Sequence, residues 1–330
     1  MYDRIISITN LYESWTELIV DKVDKPVMTE FAFDLSEKIY LLHQDLVSKT
    51  YKHSRYEEFN VYDPKPRIIH NAEVRDKIIH RAIKRILYPD FDKRFIFDSY
   101  SSRDGKGHHL ALDRFKNFSR KVSHNYTRTC WVLKCDIRKF FASIDHAILK
   151  NILAKHISDP DTLLLLDRVI DSFSTKDKFG VGLPLGNLTS QLFVNIYMNE
   201  FDQFVKHKLK VKCYIRYADD FVIMSHDRKY LEKVFIKTCE FLNSRLKLST
   251  HPDKCSIKAL TSGIDFLGWI HFPGYRILRT NTKRRMFKNL ADSQPSESTI
   301  NSYLGLLKHG KTKKIKKRLY TLGIPVLERM

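Results

Sequence analysis

Two adjacent aspartates, Asp219 and Asp220, lie within Cys213-Tyr-Ile-Arg-Tyr-Ala-Asp-Asp-Phe-Val-Ile-Met-Ser225. The flanks read as two short strands. Cys213, Ile215 and Tyr217 alternate with Tyr214 and Arg216, the period of a half-buried strand, and Phe221 to Met224 form the unbroken apolar run of a buried one. Asp is common in turns, so an isolated Asp-Asp reads first as a solvated acidic turn. Between apolar strands the pair is harder to hold, because like charges this close repel unless a cation neutralises them. A hard divalent ion such as Mg2+ does so with oxygen ligands. A third carboxylate, Asp136, ends Trp131-Val-Leu-Lys-Cys-Asp136, which alternates as a strand. On its own, a strand-end Asp reads as a turn or cap residue.

The rest of the chain must bring these carboxylates together. It has 330 residues, room for roughly two average domains. Lys and Arg number 58 against 38 Asp and Glu, a net charge of +20. An excess that large points to a polyanionic partner, nucleic acid before a membrane surface. No apolar run approaches the roughly 18 residues of a spanning helix, and the N-terminus lacks a signal-peptide pattern. A soluble cytoplasmic protein with no membrane partner is expected. The five cysteines form no Cys-x-x-Cys pair, so neither a zinc site nor a disulfide framework is suggested.

Residues 1–60 read as helical, with Leu11, Trp15, Leu18, Ile19 and Val23 on one face. Phe31, Leu35, Ile39, Leu42 and Leu46 form a second face beyond Pro26. Val61-Tyr-Asp-Pro-Lys-Pro-Arg-Ile-Ile69 reads as extended, because its prolines oppose helix. A helix follows from about Glu73 to Leu87. Ser99 to His109 is a Gly-containing loop before a helix carrying Ala111, Phe115 and Phe118. His108 and His109 lack a partner ligand at metal spacing and read as polar packing or backbone contacts. Gly182-Leu-Pro-Leu-Gly-Asn-Leu-Thr-Ser-Gln191 is a Gly-rich loop entering a long helix. Such a loop offers backbone N–H groups to phosphates. From about Thr280 the chain is basic and helical. Its run Lys311-Thr-Lys-Lys-Ile-Lys-Lys-Arg318 reads either as a solvated tail or as a backbone grip. From Trp131 the order is strand, helices, strand, strand, helix, strand, the split β-α-β-β-α-β arrangement, which places Asp136 beside Asp219 and Asp220.

Tyr217-Ala-Asp-Asp220 between apolar strands resembles the active-site hairpin of reverse transcriptases. Asp136, with Phe141 five residues on, resembles their first catalytic motif. The resemblance runs from Val61 to Lys317. It implies an α+β right-hand polymerase: an N-terminal helical extension (1–60), fingers (61–130), a ferredoxin-like palm (131–272, with room for fingers insertions in 146–180) and a basic helical thumb (273–330). It implies RNA-directed DNA polymerase activity with two Mg2+ ions, Mn2+ being able to substitute, held by Asp136, Asp219, Asp220 and the carbonyl of Ile137. Arg67 and Arg75, otherwise plain surface charges, resemble the clamp on the incoming triphosphate; the fork of Arg suits two phosphate oxygens.

Phe141 would lie under the nucleotide sugar and exclude a 2′-hydroxyl. Leu185 and Gln191 would line the nucleotide pocket, and Lys254 would stand near the leaving pyrophosphate. Lys65, Arg103, Lys106, Gly268, Trp269, Lys308, Lys313 and Lys314 would contact template and primer, Gly268 and Trp269 through a primer-grip hairpin. Most reverse transcriptases carry Gln-Gly in the pocket motif. Leu185-Gly-Asn-Leu-Thr-Ser-Gln191 is instead similar to the enzymes of diversity-generating retroelements, which copy a template-repeat RNA with errors at adenines. The implied partners are an RNA template, cDNA and dNTPs, with a small accessory protein and a structured non-coding RNA as further candidates. Defence-associated reverse transcriptases share much of this motif set. A catalytically idle RNA-binding scaffold and a metal-dependent nuclease are the other readings; the first has no reason to keep a self-repelling acidic cluster.

Overall fold

The computed structural model describes residues 1–20, 25–62, 66–291, 295–321 and 324. Val23 and Lys65 lie outside them. The N-terminal segment holds four helices rather than two: α1 (Tyr2–Ile6), α2 (Ile8–Ile19), α3 (Pro26–Phe33) and α4 (Leu35–Val47). Ser7 caps α2 by accepting from the Asn10 N–H. Pro26 opens α3, where its fixed φ and missing N–H fit the first turn. Leu11, Trp15, Leu18, Ile39, Leu42 and Leu46 are buried as their spacing requires.

The helical expectation fails from Glu57. Strand β1 (Glu57–Val61) pairs antiparallel with β2 (Arg67–Asn71), Val61 opposite Arg67. Helix α5 (Val74–Asp92) then runs past Leu87 and through Pro89, and α6 is His108–Val122.

Next come β3 (Trp131–Asp136), α7 (His146–Ala154), α8 (Pro160–Asp171), α9 (Leu188–Gln203), β4 (Tyr214–Tyr217), β5 (Asp220–Ser225), α10 (Arg228–Leu246) and β6 (Ser256–Ala259). The sheet order β4-β5-β3-β6 is the ferredoxin-like palm of a right-hand polymerase, with the first strand central. The strands are buried on both faces, not one. Leu133, Cys135, Tyr214, Phe221 and Ile223 enter the core shared with the N-terminal helices, α5, α7, α8 and α9. The alternate residues Val132, Ile215, Val222 and Met224 enter a second core with α6 and the C-terminal elements. Side chains of the Phe221 type, 0% exposed, each contribute on the order of 1.5–3 kcal/mol on burial.

Strands β7 (Ile264–Phe266), β8 (Trp269–Phe272) and β9 (Tyr275–Leu278) form a separate antiparallel sheet, followed by α11 (Thr280–Ala291), α12 (Glu297–Leu306) and α13 (Lys313–Thr321). The expected division at 272/273 falls in the β8–β9 turn, inside this sheet, so the basic helical part begins at Thr280. Among the described residues, no helix is long and apolar enough to cross a membrane.

Candidate active site

The pairing of β3 with β5 sets Asp136 directly opposite Asp220. Side chains so opposed have Cβ atoms roughly 5 Å apart. Asp219 precedes Asp220 in the β4–β5 turn, where Ala218 adopts φ +54°. The Ile137 N–H donates to the Asp219 carbonyl at 3.3 Å, and the His251 N–H donates to the Asp136 carbonyl at 2.7 Å. The backbone therefore sets the residues Asp136, Ile137, Asp219 and Asp220 beside one another.

Their charge is poorly compensated. Lys254 Nζ lies 2.9 Å from Asp136 Oδ1, and Lys134 Nζ is 3.9 Å from Asp220 Oδ1. Asp220 Oδ1 is buried without a hydrogen-bond partner. Burial, with Asp219 and Asp136 adding to it, pushes the Asp220 carboxyl up to about 6 against the pull of Lys134. Burial and the Asp136 charge also raise Asp219, opposed by its own N–H, Lys254 and Arg67. Among the described residues no three His, Cys, Asp or Glu side chains converge on one point; Asp136 is turned to Lys254.

Arg216 was legible only as a strand residue, yet it organises this turn. Arg216 and Asp202 are both 0% exposed. The guanidinium holds Asp202 through Nε and Nη2, Asn195 Oδ1 at 3.2 Å, Ser99 Oγ at 3.0 Å and the Ala218 carbonyl at 3.1 Å. Its backbone accepts from the Tyr100 N–H and donates to the Asp98 carbonyl. One buried cation thus ties the β4–β5 turn to the loop after α5. Removing one partner of such a pair costs about 3–5 kcal/mol, because the other is left buried and uncompensated.

The nucleotide-side candidates gather around the Gly-rich loop. The Gly182 N–H donates to Ile144 at 2.7 Å and the Leu183 N–H to the Phe141 carbonyl at 2.8 Å. The Leu185 carbonyl accepts from the His70 N–H at 2.9 Å, the Leu185 N–H donates to His70 Nδ1 at 3.3 Å, and Asn187 Nδ2 donates to the His70 carbonyl at 3.0 Å. The amides of Gly182, Leu183 and Leu185 are therefore used in docking the loop, which corrects the expectation that they face phosphates. Gly186 has φ +113°, and a Cβ there would stand 2.8 Å from Ile69 Cγ2, so the approach to β2 requires glycine.

Arg67 starts β2, near enough to Asp219 to oppose its pKa rise. Phe141 is half-buried against Phe140. Gln191 is exposed on the first turns of α9. Arg75 goes elsewhere: it pairs with Asp45 of α4 and lies over the Tyr51 ring.

The template-side candidates divide. Arg103 is committed internally, to Asp92 at 2.7 Å and to the Ile96 and Ser99 carbonyls, so it shapes its loop and offers little to a template. Lys106 donates to the Phe97 carbonyl and sits over that exposed ring. Trp269 is 0% exposed and serves packing, while Gly268 turns β7 into β8 with φ +78°. Lys308, Lys313 and Lys314 are exposed. His108 Nε2–H donates to the Leu267 carbonyl in the β7–β8 turn at 2.7 Å, the kind of backbone contact expected of it.

Residues 52–271 match the family described as reverse transcriptase (RNA-dependent DNA polymerase). The chain belongs to the reverse transcriptase family. Among curated relatives of this reverse transcriptase, YkfC of Escherichia coli K12 is 25% identical over 307 residues, covering 80% of this chain and 76% of YkfC. The group II intron-encoded protein LtrA of Lactococcus lactis subsp. cremoris is 28% identical over 141 residues, 42% of this chain and 22% of LtrA. A C-terminally truncated apo telomerase from Candida tropicalis superposes with a TM-score of 0.51 at 12% identity, covering 70% of this chain and 55% of that one. This reverse transcriptase thus spans most of YkfC, about a fifth of LtrA and about half of the telomerase chain, and the last likeness concerns the fold.

Proposed function

We propose that this chain is an RNA-directed DNA polymerase that extends a primer 3′ end with deoxynucleotides along an RNA template. The observation that carries the proposal is the carboxylate cluster: three aspartates from two strands and a turn, one with a buried, unpartnered oxygen. A cluster of hard oxygen donors with a surplus of negative charge fits divalent cations. Asp136, Asp219, Asp220 and the Ile137 carbonyl are the proposed ligands of two Mg2+ ions. Bound there, the ions supply Lewis acidity at the 3′-hydroxyl and charge neutralisation at the triphosphate.

The remaining work falls to the protein's own groups. Arg67 takes triphosphate oxygens in its fork. Lys254, once released from Asp136, holds the leaving pyrophosphate. Phe141 fills the space a 2′-hydroxyl would need. Arg216 keeps the turn in the one conformation that presents both Asp219 and Asp220.

The finer reading is error-prone synthesis in a diversity-generating retroelement. It is supported by Leu185, which meets the new base pair with apolar contact where Gln would impose directional hydrogen bonds. The deciding experiment is primer extension with Mg2+ on an RNA template. Asp219→Asn removes a ligand while relieving repulsion, so the variant should fold and be inactive. Near wild-type extension would overturn the assignment, and an inactive wild type binding RNA normally would favour the scaffold reading.

A further inference from the structure

All five cysteines are free thiols, and Cys135 and Cys255 are neighbours across the β3–β6 ladder. That ladder runs from Trp131 opposite Ala259 to Lys134 opposite Ser256, so the next pair in register is Cys135 with Cys255. Cys255 keeps an extended backbone there, with φ −98° and ψ 126°. Antiparallel neighbours hold their Cα atoms about 4.5–5.5 Å apart. A disulfide needs a Cα separation of roughly 4.4–6.8 Å.

The two side chains also share a face. Leu133 and Ile257 oppose each other in the ladder and pack in one core, and the cysteines stand two residues further along each strand. Both thiols join that core, and the Cys135 S–H donates to the Cys255 sulfur. Their access to solvent differs. Cys135 is 0% exposed, whereas Cys255 is only half-buried where the turn enters β6. A third thiol, Cys239 of α10, is engaged with the Thr250 hydroxyl at 3.7 Å. Packing alone would be served by any small apolar residue at either position. A reachable thiol backed by a buried one is the arrangement of a redox-responsive pair.

We propose that Cys135 and Cys255 form a modification site, which hydrogen peroxide converts reversibly to a disulfide. The Cys255 sulfur attacks the O–O bond and becomes a sulfenic acid, and the departing hydroxide takes the thiol proton and leaves as water. The Cys135 sulfur then displaces the sulfenic hydroxyl, which leaves as a second water with the Cys135 proton. Two thiols are oxidised by two electrons in all, and one peroxide is reduced. The new bond is a covalent rung beyond the Lys134–Ser256 pair. Lys254 precedes Cys255, Asp136 follows Cys135, and Lys254 Nζ already lies 2.9 Å from Asp136 Oδ1. The rung holds these two together and so keeps Lys254 from a leaving pyrophosphate. That consequence rests on the polymerase reading; the disulfide itself does not.

The test treats the full chain with hydrogen peroxide, alkylates the remaining thiols and maps unreduced peptides by mass spectrometry. A Cys135–Cys255 linked peptide is expected, and dithiothreitol should abolish it. Primer extension on an RNA template should fall as the linked fraction rises and return with dithiothreitol. Cys255→Ser, at a half-buried position, should extend primers as wild type does and keep that activity through peroxide. Cys239→Ser should link and respond as wild type does. The thiol pair is overturned if peroxide yields no Cys135–Cys255 link, whether both thiols are recovered alkylated or Cys255 is joined to Cys239. Linkage in a chain that extends no primer even when reduced upholds the pair and overturns the polymerase reading. Linkage that leaves extension unchanged overturns the hold on Lys254.

Discussion

Asp220→Asn isolates the electrostatic strain of the carboxylate cluster. In the metal-free protein the Asp220 carboxyl is raised from 3.8 to about 6, chiefly by burial. A gap of about two pH units corresponds to roughly 3 kcal/mol of destabilisation once the group is ionised, at about 1.36 kcal/mol per unit. The side chain keeps 27% exposure, and solvent screening brings the expectation to about 2 kcal/mol. Asn preserves shape and removes the charge. In EDTA at about pH 8 the variant should therefore melt higher, by about 3 °C for a chain of 330 residues.

The pH dependence has a fixed sign. Folded Asp220 holds its proton to higher pH than the unfolded chain does, so wild-type stability from this group rises as pH falls from about 6 towards 4. The advantage of the variant should shrink across that window and vanish below it. Scanning fluorimetry across these pH values measures it, and added Mg2+ should stabilise wild type more than the variant. An advantage that stays constant from about pH 8 to about pH 4, or a wild type more stable than the variant at about pH 8, would refute the reasoning.

Phe141→Ala should raise the ratio of ribonucleotide to deoxynucleotide incorporation; an unchanged ratio in a competition assay would leave Phe141 with packing alone. Arg67→Ala should raise the apparent KM for dNTPs roughly ten-fold or more through loss of a charge-assisted phosphate contact of about 1.5–3 kcal/mol. Weakened template binding with normal dNTP dependence would instead move it to the template track. Leu185→Gln should lower misincorporation opposite template adenines more than it lowers extension, as read by sequencing the cDNA. Equal error rates at retained activity would remove Leu185 from fidelity.

The carboxylate site was legible because its signals are local. Asp-Asp between two apolar runs specifies a hairpin, and the order of strands and helices brings Asp136 to it. The palm followed for the same reason, since period two and period 3.6 are written in each segment. What escaped notice depends on partners distant in sequence. Arg216 alternates like any half-exposed strand residue, and only the fold brings Asp202, Asn195 and Ser99 around it. Arg103 and Arg75 looked like free cations because Asp92 and Asp45 carry no mark that assigns them as partners. The Gly-rich loop suggested open amides, and its docking on His70 comes from a strand more than a hundred residues earlier. Strand β1 was missed because Glu57-Glu-Phe-Asn-Val61 is exposed along most of its length and shows no apolar period.

The docking at His70 has a mechanical consequence. Three hydrogen bonds converge on this one residue, two to Leu185 and one from Asn187. At about 1 kcal/mol each, parting strand from loop costs roughly 3 kcal/mol and leaves separated states at about one molecule in a hundred. Residues 66–71 and 182–187 therefore travel as one body. In the proposed polymerase, any opening that admits a nucleotide carries Arg67 together with Leu185. The pivot must lie outside both, so the separation of Arg67 from Leu185, the proposed triphosphate and base-pair contacts, is set before a nucleotide arrives.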